Sequence, residues 1–286
     1  MRIAVIGAGA IGGTLAAWLA QTHEVILCVR SPLDDLEVET PEGTIRATPR
    51  VLTDPARAEP VDWVLTATKT YDGAGAAAWL PGLMGPATRL AVVQNGVEHY
   101  DRFPSVPRPR TVPVIIDLPA ERRGPGRILQ RRNGTIHVPE GETGEALVAL
   151  FADTPIDAQT TPDFLTAAWR KLAINCTGIV SALTRRPAEV VQDEGAADVM
   201  RGLVRECIAV GRAEGADLKD GLAEKVVEWT RRAHPESINS LHADFIAGRR
   251  TEVDARNLVI VRLGEKHGID APLNRALAAL LVASRP

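Results

Sequence analysis

Residues 1–30 read MRIAVIGAGAIGGTLAAWLAQTHEVILCVR. Ile3 to Ile6 is apolar and partly β-branched, which predicts a short buried strand. Gly7-Ala8-Gly9-Ala10-Ile11-Gly12 breaks it, Gly13 to Gln21 has helix-forming composition, and His23 to Arg30 predicts a second strand. A G-x-G-x-x-G between a strand and a helix, with another strand inside about 30 residues, is the context of a dinucleotide-binding turn. Gly7 permits the tight turn, Gly9 removes a side chain where a pyrophosphate approaches the backbone, and Gly12 lets helix and strand pack closely. The helix N-terminus then offers free N–H groups and positive dipole to phosphate. Residues 7–12 are therefore the candidate cofactor-binding residues. The same run, an arginine followed by apolar and small residues, also resembles a secretory leader. Its glycines and the switch from strand-type to helix-type residues suit a folded element better.

The second strand ends in Arg30 where NAD-specific turns carry an acidic residue for the ribose 2′-hydroxyl. A cation there pairs with a 2′-phosphate, so the expected cofactor is NADPH.

Val61 to Ala67 and Leu90 to Val93 are further continuous apolar runs, with helical segments such as Ala74 to Leu80 between them. Non-alternating strands separated by helices predict a parallel sheet covered on both faces. Lys69 and Asn95 follow the carboxyl ends of these two strands, the rim where ligands bind in such sheets. Asn95-Gly96 is also an ordinary turn pair. After about residue 105 the segments TVPVIIDLP, RILQ and TIHV predict short antiparallel additions, Gly144 to Phe151 a helix, and TPIDAQTTPD a linker. From Pro162 onward the chain is helical in composition, with Gly215 and Gly268 placed as C-terminal caps. The fold class is α/β: an N-terminal Rossmann-type doubly wound sheet over residues 1–161, followed by an all-helical C-terminal domain over residues 162–286.

With 286 residues, 45% hydrophobic, the chain has material for two ordinary domains. Its net charge of −3 carries no basic excess for nucleic acid or an anionic membrane. The one basic cluster, Glu121 to Arg132, predicts a solvated hairpin. No stretch approaches the roughly 18 apolar residues of a membrane helix. Cys28, Cys176 and Cys207 lie far apart, without the spacing of a disulfide framework or a zinc site, and suit a reduced, cytoplasmic setting. No metal ligand set is expected.

Residues 169–176 read WRKLAINC. On a helix Lys171 and Asn175 share a face, one turn apart, with Leu172 and Ile174 turned into packing. A lysine facing a cleft can protonate a ketone oxygen as hydride arrives at the carbon, and its charge offsets the developing alkoxide. The same spacing also fits a surface lysine with a buried stem. Spacing alone leaves both readings open. Cys176, beside the motif, reads as a small buried apolar residue rather than a nucleophile.

GAGAIG at 7–12, QNGVE at 94–98, WRKLAINC and SLHADFIAGRRTEVDARNLVIVRLGEKHGI at 240–269 together resemble the ketopantoate reductase family, in order from residue 1 to about 275. The resemblance implies a Rossmann domain, a helical domain and an active site in the cleft between them. It implies NADPH-dependent reduction of the 2-oxo group of ketopantoate (2-dehydropantoate) to pantoate, a step of pantothenate biosynthesis. It makes Lys171 the catalytic lysine and Glu252 the active-site glutamate. Asn95, Asn175 and Ser240 match substrate-contacting positions, and Gly7, Gly9, Gly12, Arg30, Lys69 and Asn95 match the nucleotide side. Taken alone, Glu252 is an acidic residue opening a helix. The family usually has a second asparagine one turn after Asn175; here that place falls near Ile179, which puts the identity of the 2-oxo acid in question. A reductase of another small branched 2-oxo acid and a non-catalytic NADP-binding sensor are the alternatives. The C-terminal helices are the candidate surface for a homodimer, without a heptad seam.

Overall fold

The computed structural model describes residues 1–284. The chain divides into two compact units, Met1–Gln94 with Glu98–Phe164, and Asn95–Val97 with Leu165 onward.

The first unit contains thirteen strands: β1 (Arg2–Ile6), β2 (Glu24–Cys28), β3 (Leu36–Thr40), β4 (Gly43–Ala47), β5 (Arg50–Leu52), β6 (Trp63–Thr66), β7 (Arg89–Val92), β8 (Thr111–Pro113), β9 (Ile115–Asp117), β10 (Ala120–Gly124), β11 (Arg127–Gln130), β12 (Thr135–Pro139) and β13 (Asp157–Thr161). Six of them form a sheet in the order β5-β2-β1-β6-β7-β8, every pair parallel. β1 is central, and Ile3 to Ile6 are buried on both faces, as non-alternating apolar residues require. Helix α1 (Ala10–Leu19) follows β1 directly. Gly7 has φ +98° and donates its N–H to Cys28 O at 2.9 Å, which joins the turn to the end of β2. Helices α2 (Gly73–Ala77) and α3 (Leu80–Leu83) occupy the connection from β6 to β7, and α4 (Glu142–Val148) that from β12 to β13.

Several expectations are corrected. β3, β4 and β5 lie in a stretch whose short, charged segments carry no apolar run, so the reading passed over them. β5 is the outer parallel strand of the main sheet. The supposed linker TPIDAQTTPD contains β13, which pairs in parallel with β12 through five residue pairs. The late strands are not all antiparallel additions. β8 joins the main sheet in parallel, and β11 pairs antiparallel with β10 but parallel with β3. Pairing direction is a property of the partner strand, which composition does not reveal. The basic cluster is the β10–β11 hairpin, its cations paired with carboxylates: Arg131 with Glu121 at 2.6 Å, Arg127 with Asp35 at 2.8 Å. It is not wholly solvated, because Ile128 and Gln130 are buried and Gln130 Oε1 accepts from Trp18 Nε1 at 2.8 Å.

The described part of the second unit is helical: α5 (Phe164–Thr184), α6 (Glu194–Ala213), α7 (Leu222–Arg232), α8 (Ser240–Ile246), α9 (Val259–Lys266) and α10 (Pro272–Ala283). α5 runs nine residues beyond the expected end at Asn175, because Cys176, Ile179, Val180 and Ala182 continue its apolar face into the core. A π-helical turn, Asp254–Leu258, precedes α9. There Asn257, fully buried, donates from Nδ2 to Cys176 O and Asn274 Oδ1, both at 2.9 Å. Asn274 in turn donates to Glu206 Oε2 at 2.8 Å. This buried network ties the π turn to α5, α6 and α10 through the donors of Asn257 and Asn274, while Asn257 Oδ1 has no partner among the described residues. Among the described residues no helix is long and apolar enough to cross a membrane.

Candidate functional site

In the first unit, four adjacent strands present candidate groups at their carboxyl ends. The glycine turn follows β1. A Cβ at Gly12 would stand 1.9 Å from Gly7 O, so only glycine lets α1 approach the turn this closely. A Cβ at Gly9 would meet nothing within 4 Å. Its constraint is therefore not internal packing, and the open space beside it suits a ligand's close approach. Gly9 is the N-cap of α1, with no side-chain cap and no acidic residue in the first turn. The first N–H groups thus face no competing anion from their own helix, as a phosphate site requires. Ala8 and Ile11 pack against the core, and Ala10 O accepts from Thr14 Oγ1 at 2.7 Å, which stiffens the first turn.

Arg30 lies two residues beyond β2 rather than at its end, with its side chain 90% exposed. Asp72 is 3.9 Å away, a long and solvated pair that leaves the guanidinium available to a phosphate. Lys69, half-buried, stands three residues beyond β6 and begins the 3-10 turn Thr70–Asp72. These residue types fit a nucleotide carrying a 2′-phosphate.

Beyond β7 stands a group that sequence reasoning missed. Gln94 is buried and donates from Nε2 to Thr68 O and Thr68 Oγ1, both at 3.0 Å. His99 is also buried, with Nε2 3.1 Å from Gln94 O and its ring edge-on to Phe164. Burial, then the Arg102 charge, pushes the imidazole down to about 3, so it stays neutral. The backbone leading into Asn95 is thereby clamped at Gln94. The only sequence signal was the pair of polar residues flanking the Asn-Gly turn.

Within the second unit, Asn95, Asn175 and Glu252 form one hydrogen-bonded chain. Asn95 Nδ2 donates to Glu252 Oε2 at 3.1 Å, and Asn175 Nδ2 donates to Asn95 Oδ1 at 3.4 Å. Glu252 is 5% exposed and is the last non-helical residue before Val253. Lys171 is half-buried on α5, one turn before Asn175. Ile174 does not pack as expected; it is 38% exposed, while Leu172 enters the core. Ile179, two turns beyond Lys171, is fully buried among apolar residues, so the polar stripe of α5 ends at Asn175. Cys176 is buried and donates to Ala173 O, as a small core residue does.

Ser240 opens α8 and is exposed. Its oxygen accepts from Arg256 Nη2 at 2.6 Å. Arg256 is 3% exposed; burial lowers its pKa, while Glu252, Asp244 and Cys176 oppose the shift. Sequence reasoning passed over Arg256, although it stands four residues after Glu252. Asn239 fixes the start of α8: its Oδ1 accepts from His242 N at 3.0 Å and its Nδ2 donates to Gly178 O at 3.2 Å. Gly178 has no Cβ because one would stand 2.8 Å from Asn239 Oδ1. Among the described residues no group of three His, Cys, Asp or Glu side chains is arranged to hold a metal.

Comparison with known proteins follows the same division of the chain. Residues 3–143 match the family model described as ketopantoate reductase PanE/ApbA, and residues 163–284 match its C-terminal counterpart. The chain is 59% identical over 285 residues to a 2-dehydropantoate 2-reductase of Caulobacter vibrioides, covering 99% of this chain and 98% of that one. A 2-dehydropantoate 2-reductase of Mycobacterium tuberculosis is 34% identical over 291 residues, with 99% and 97% covered. Among solved structures, a PanE/ApbA family ketopantoate reductase from Ralstonia eutropha superposes with a TM-score of 0.91 at 32% identity, covering 99% of this chain and 98% of that one.

Proposed function

This chain belongs to the ketopantoate reductase family, and on that premise we propose that it reduces 2-dehydropantoate to pantoate with NADPH. The observation that carries the reading is the Asn175–Asn95–Glu252 chain beside Lys171, assembled from segments far apart in sequence. It supports a site for a small polar substrate rather than a merely structural helix.

The first unit, residues 1–161 in the division expected from sequence, is the nucleotide-binding domain in this reading, and residues 162–286 are the catalytic domain. Residues 7–12 hold the pyrophosphate at the N-terminus of α1, and Arg30 meets the 2′-phosphate. Lys69 and Asn95 serve the nucleotide from the neighbouring rim. When bound, the cofactor supplies the hydride that reaches the 2-oxo carbon. Lys171 donates a proton to the 2-oxo oxygen, which becomes the alcohol, and its charge stabilises the oxygen as negative charge develops there. Glu252 aims the ammonium. Asn175 and Asn95, each holding carboxamide groups in a fixed chain, orient the substrate's polar groups. Ser240 also contacts the substrate.

A cytoplasmic location accompanies this reading. So does a homodimer, for which the exposed Leu280 and Val282 of α10 are the candidate surface, tested by sedimentation. The decisive experiment for function is a panel of 2-oxo acids offered with NADPH or NADH, followed at the nicotinamide absorbance. Preferred turnover of 2-dehydropantoate with NADPH is expected. Turnover of other branched 2-oxo acids alone would move the substrate assignment, and no turnover of any would leave only a nucleotide-binding protein.

A further inference from the structure

Lys171 and Asn175 share a face of α5, and at about 100° of turn per residue position 178 falls within about 60° of both. A polar side chain there would carry the face one turn further, yet the residue is Gly178, and glycine inside a helix weakens it. Its place is taken from outside the helix. A Cβ at Gly178 would stand 2.8 Å from Asn239 Oδ1, 2.9 Å from its Cγ and 3.1 Å from its Nδ2, so the whole carboxamide lies where that side chain would begin. Ile179 and Ala182, the next residues toward this face, are fully buried and apolar, so α5 supplies no polar group of its own there.

The carboxamide has one orientation. Its Oδ1 accepts from His242 N, which can only donate, and its Nδ2 donates to Gly178 O, which can only accept. An amide nitrogen carries two hydrogens, and the second makes no bond among the described residues. The residue is half-buried. Capping α8 does not by itself call for asparagine, because serine, threonine or aspartate would supply the same oxygen. What asparagine adds is an N–H held over the polar face of α5.

We infer that Asn239 is a specificity-determining residue whose remaining Nδ2–H donates to the hydroxyl of the substrate, and so selects a 2-oxo acid that carries a hydroxyl over one of the same shape without it. The inference rests on the reductase reading above and adds the part of the substrate that this carboxamide recognises. In 2-dehydropantoate the carboxylate is bonded to the carbon that receives hydride, whereas the hydroxyl stands two carbons away. Lys171 meets the 2-oxo oxygen, and position 178 lies about two turns further along α5. The group met there is the polar one farthest from the reacting carbon, and an uncharged N–H matches an uncharged hydroxyl.

The test compares 2-dehydropantoate with 3,3-dimethyl-2-oxobutanoate, the same acid without its hydroxyl, as substrates for the full-length protein with NADPH. Wild-type protein should show the higher kcat/KM for the hydroxy acid. Asn239→Ser keeps an oxygen to cap α8 but places no N–H over Gly178, and it should reduce that preference by about 2- to 10-fold, the scale of one hydrogen bond between uncharged groups. Gly178→Ala puts a methyl into the carboxamide and should reduce the same preference, with the double variant losing little more. An equal fall in kcat/KM for both acids would make Asn239 only the cap of α8, and an unchanged preference in Asn239→Ser would also overturn the inference. Wild-type protein that reduced both acids equally well would overturn it while leaving the reductase reading intact. If neither acid were reduced, the reductase reading itself would fail, and this inference with it.

Discussion

Asn95 donates its carboxamide to the buried Glu252 carboxylate at 3.1 Å, across 157 positions of sequence. The bond joins the turn after β7 to the segment before the π turn, and Asn175 of α5 completes the chain by donating to Asn95. A carboxylate that loses a donor in a buried site costs about 1–3 kcal/mol. Asn95→Ala should therefore lower stability by that amount in urea unfolding and also weaken substrate binding. Unchanged stability together with an unchanged KM would show that the bond does not form in solution.

Lys171→Ala should lower kcat by about 100-fold or more, the usual scale for a general acid. NADPH affinity, read by cofactor fluorescence, should barely change, because the glycine turn and Arg30 belong to the first unit. Asn175→Ala should act mainly on KM. Near-normal turnover in folded Lys171→Ala protein would reduce WRKLAINC to a structural helix.

The two glycines of the turn should behave differently. Gly12→Ala places a methyl against Gly7 O and should cost about 1–3 kcal/mol, as overpacking does, measured by thermal unfolding. Gly9→Ala meets no protein atom and its φ of −73° is open to alanine, so the fold should keep its stability. Its NADPH affinity should nevertheless fall, since the methyl enters the space proposed for the pyrophosphate. Equal effects of both variants on stability would contradict this assignment.

Arg30→Ala should raise KM for NADPH by roughly 10- to 150-fold, the loss of a charge-assisted hydrogen bond, and leave KM for NADH nearly unchanged. A wild-type preference for NADH would sink the 2′-phosphate assignment.

His99 gives the protein an acid-sensitive clamp. The unfolded chain takes up its proton near the ordinary value of 6.5, the folded one only near about 3. The folded state therefore keeps its full advantage above pH 6.5 and loses it as pH falls toward 3, by about 1.4 kcal/mol per unit within that window. Urea titrations from pH 7 to 4 should show that slope in wild type and a flatter one in His99→Gln. Identical slopes would mean that other groups govern acid stability.

Much of the candidate site was legible in the chain because its residues sit in short local patterns. The glycine turn needs only a strand, a turn and a helix in succession, and the Lys171–Asn175 pair needs only helical spacing. Glu252 was found through resemblance, since an acidic residue before a helix has a common local explanation. Arg256, Gln94 and His99 were passed over because their roles depend on burial, and a polar residue's burial is set by neighbours remote in sequence.

The sequence by itself determined the four inner strands of the main parallel sheet, the glycine turn at its centre and the change to helices after Pro162. Apolar periodicity and turn chemistry act over a few residues, so they can be read without knowing the neighbours. Only the tertiary structure decided that β13 pairs with β12, that α5 carries its apolar face on to Thr184, and that Asn95 meets Glu252 while Arg256 meets Ser240. Those are relations between distant segments. Their energies come from burying apolar faces and from pairing polar groups that burial removes from water, and which partner each group meets is settled only when the whole unit packs.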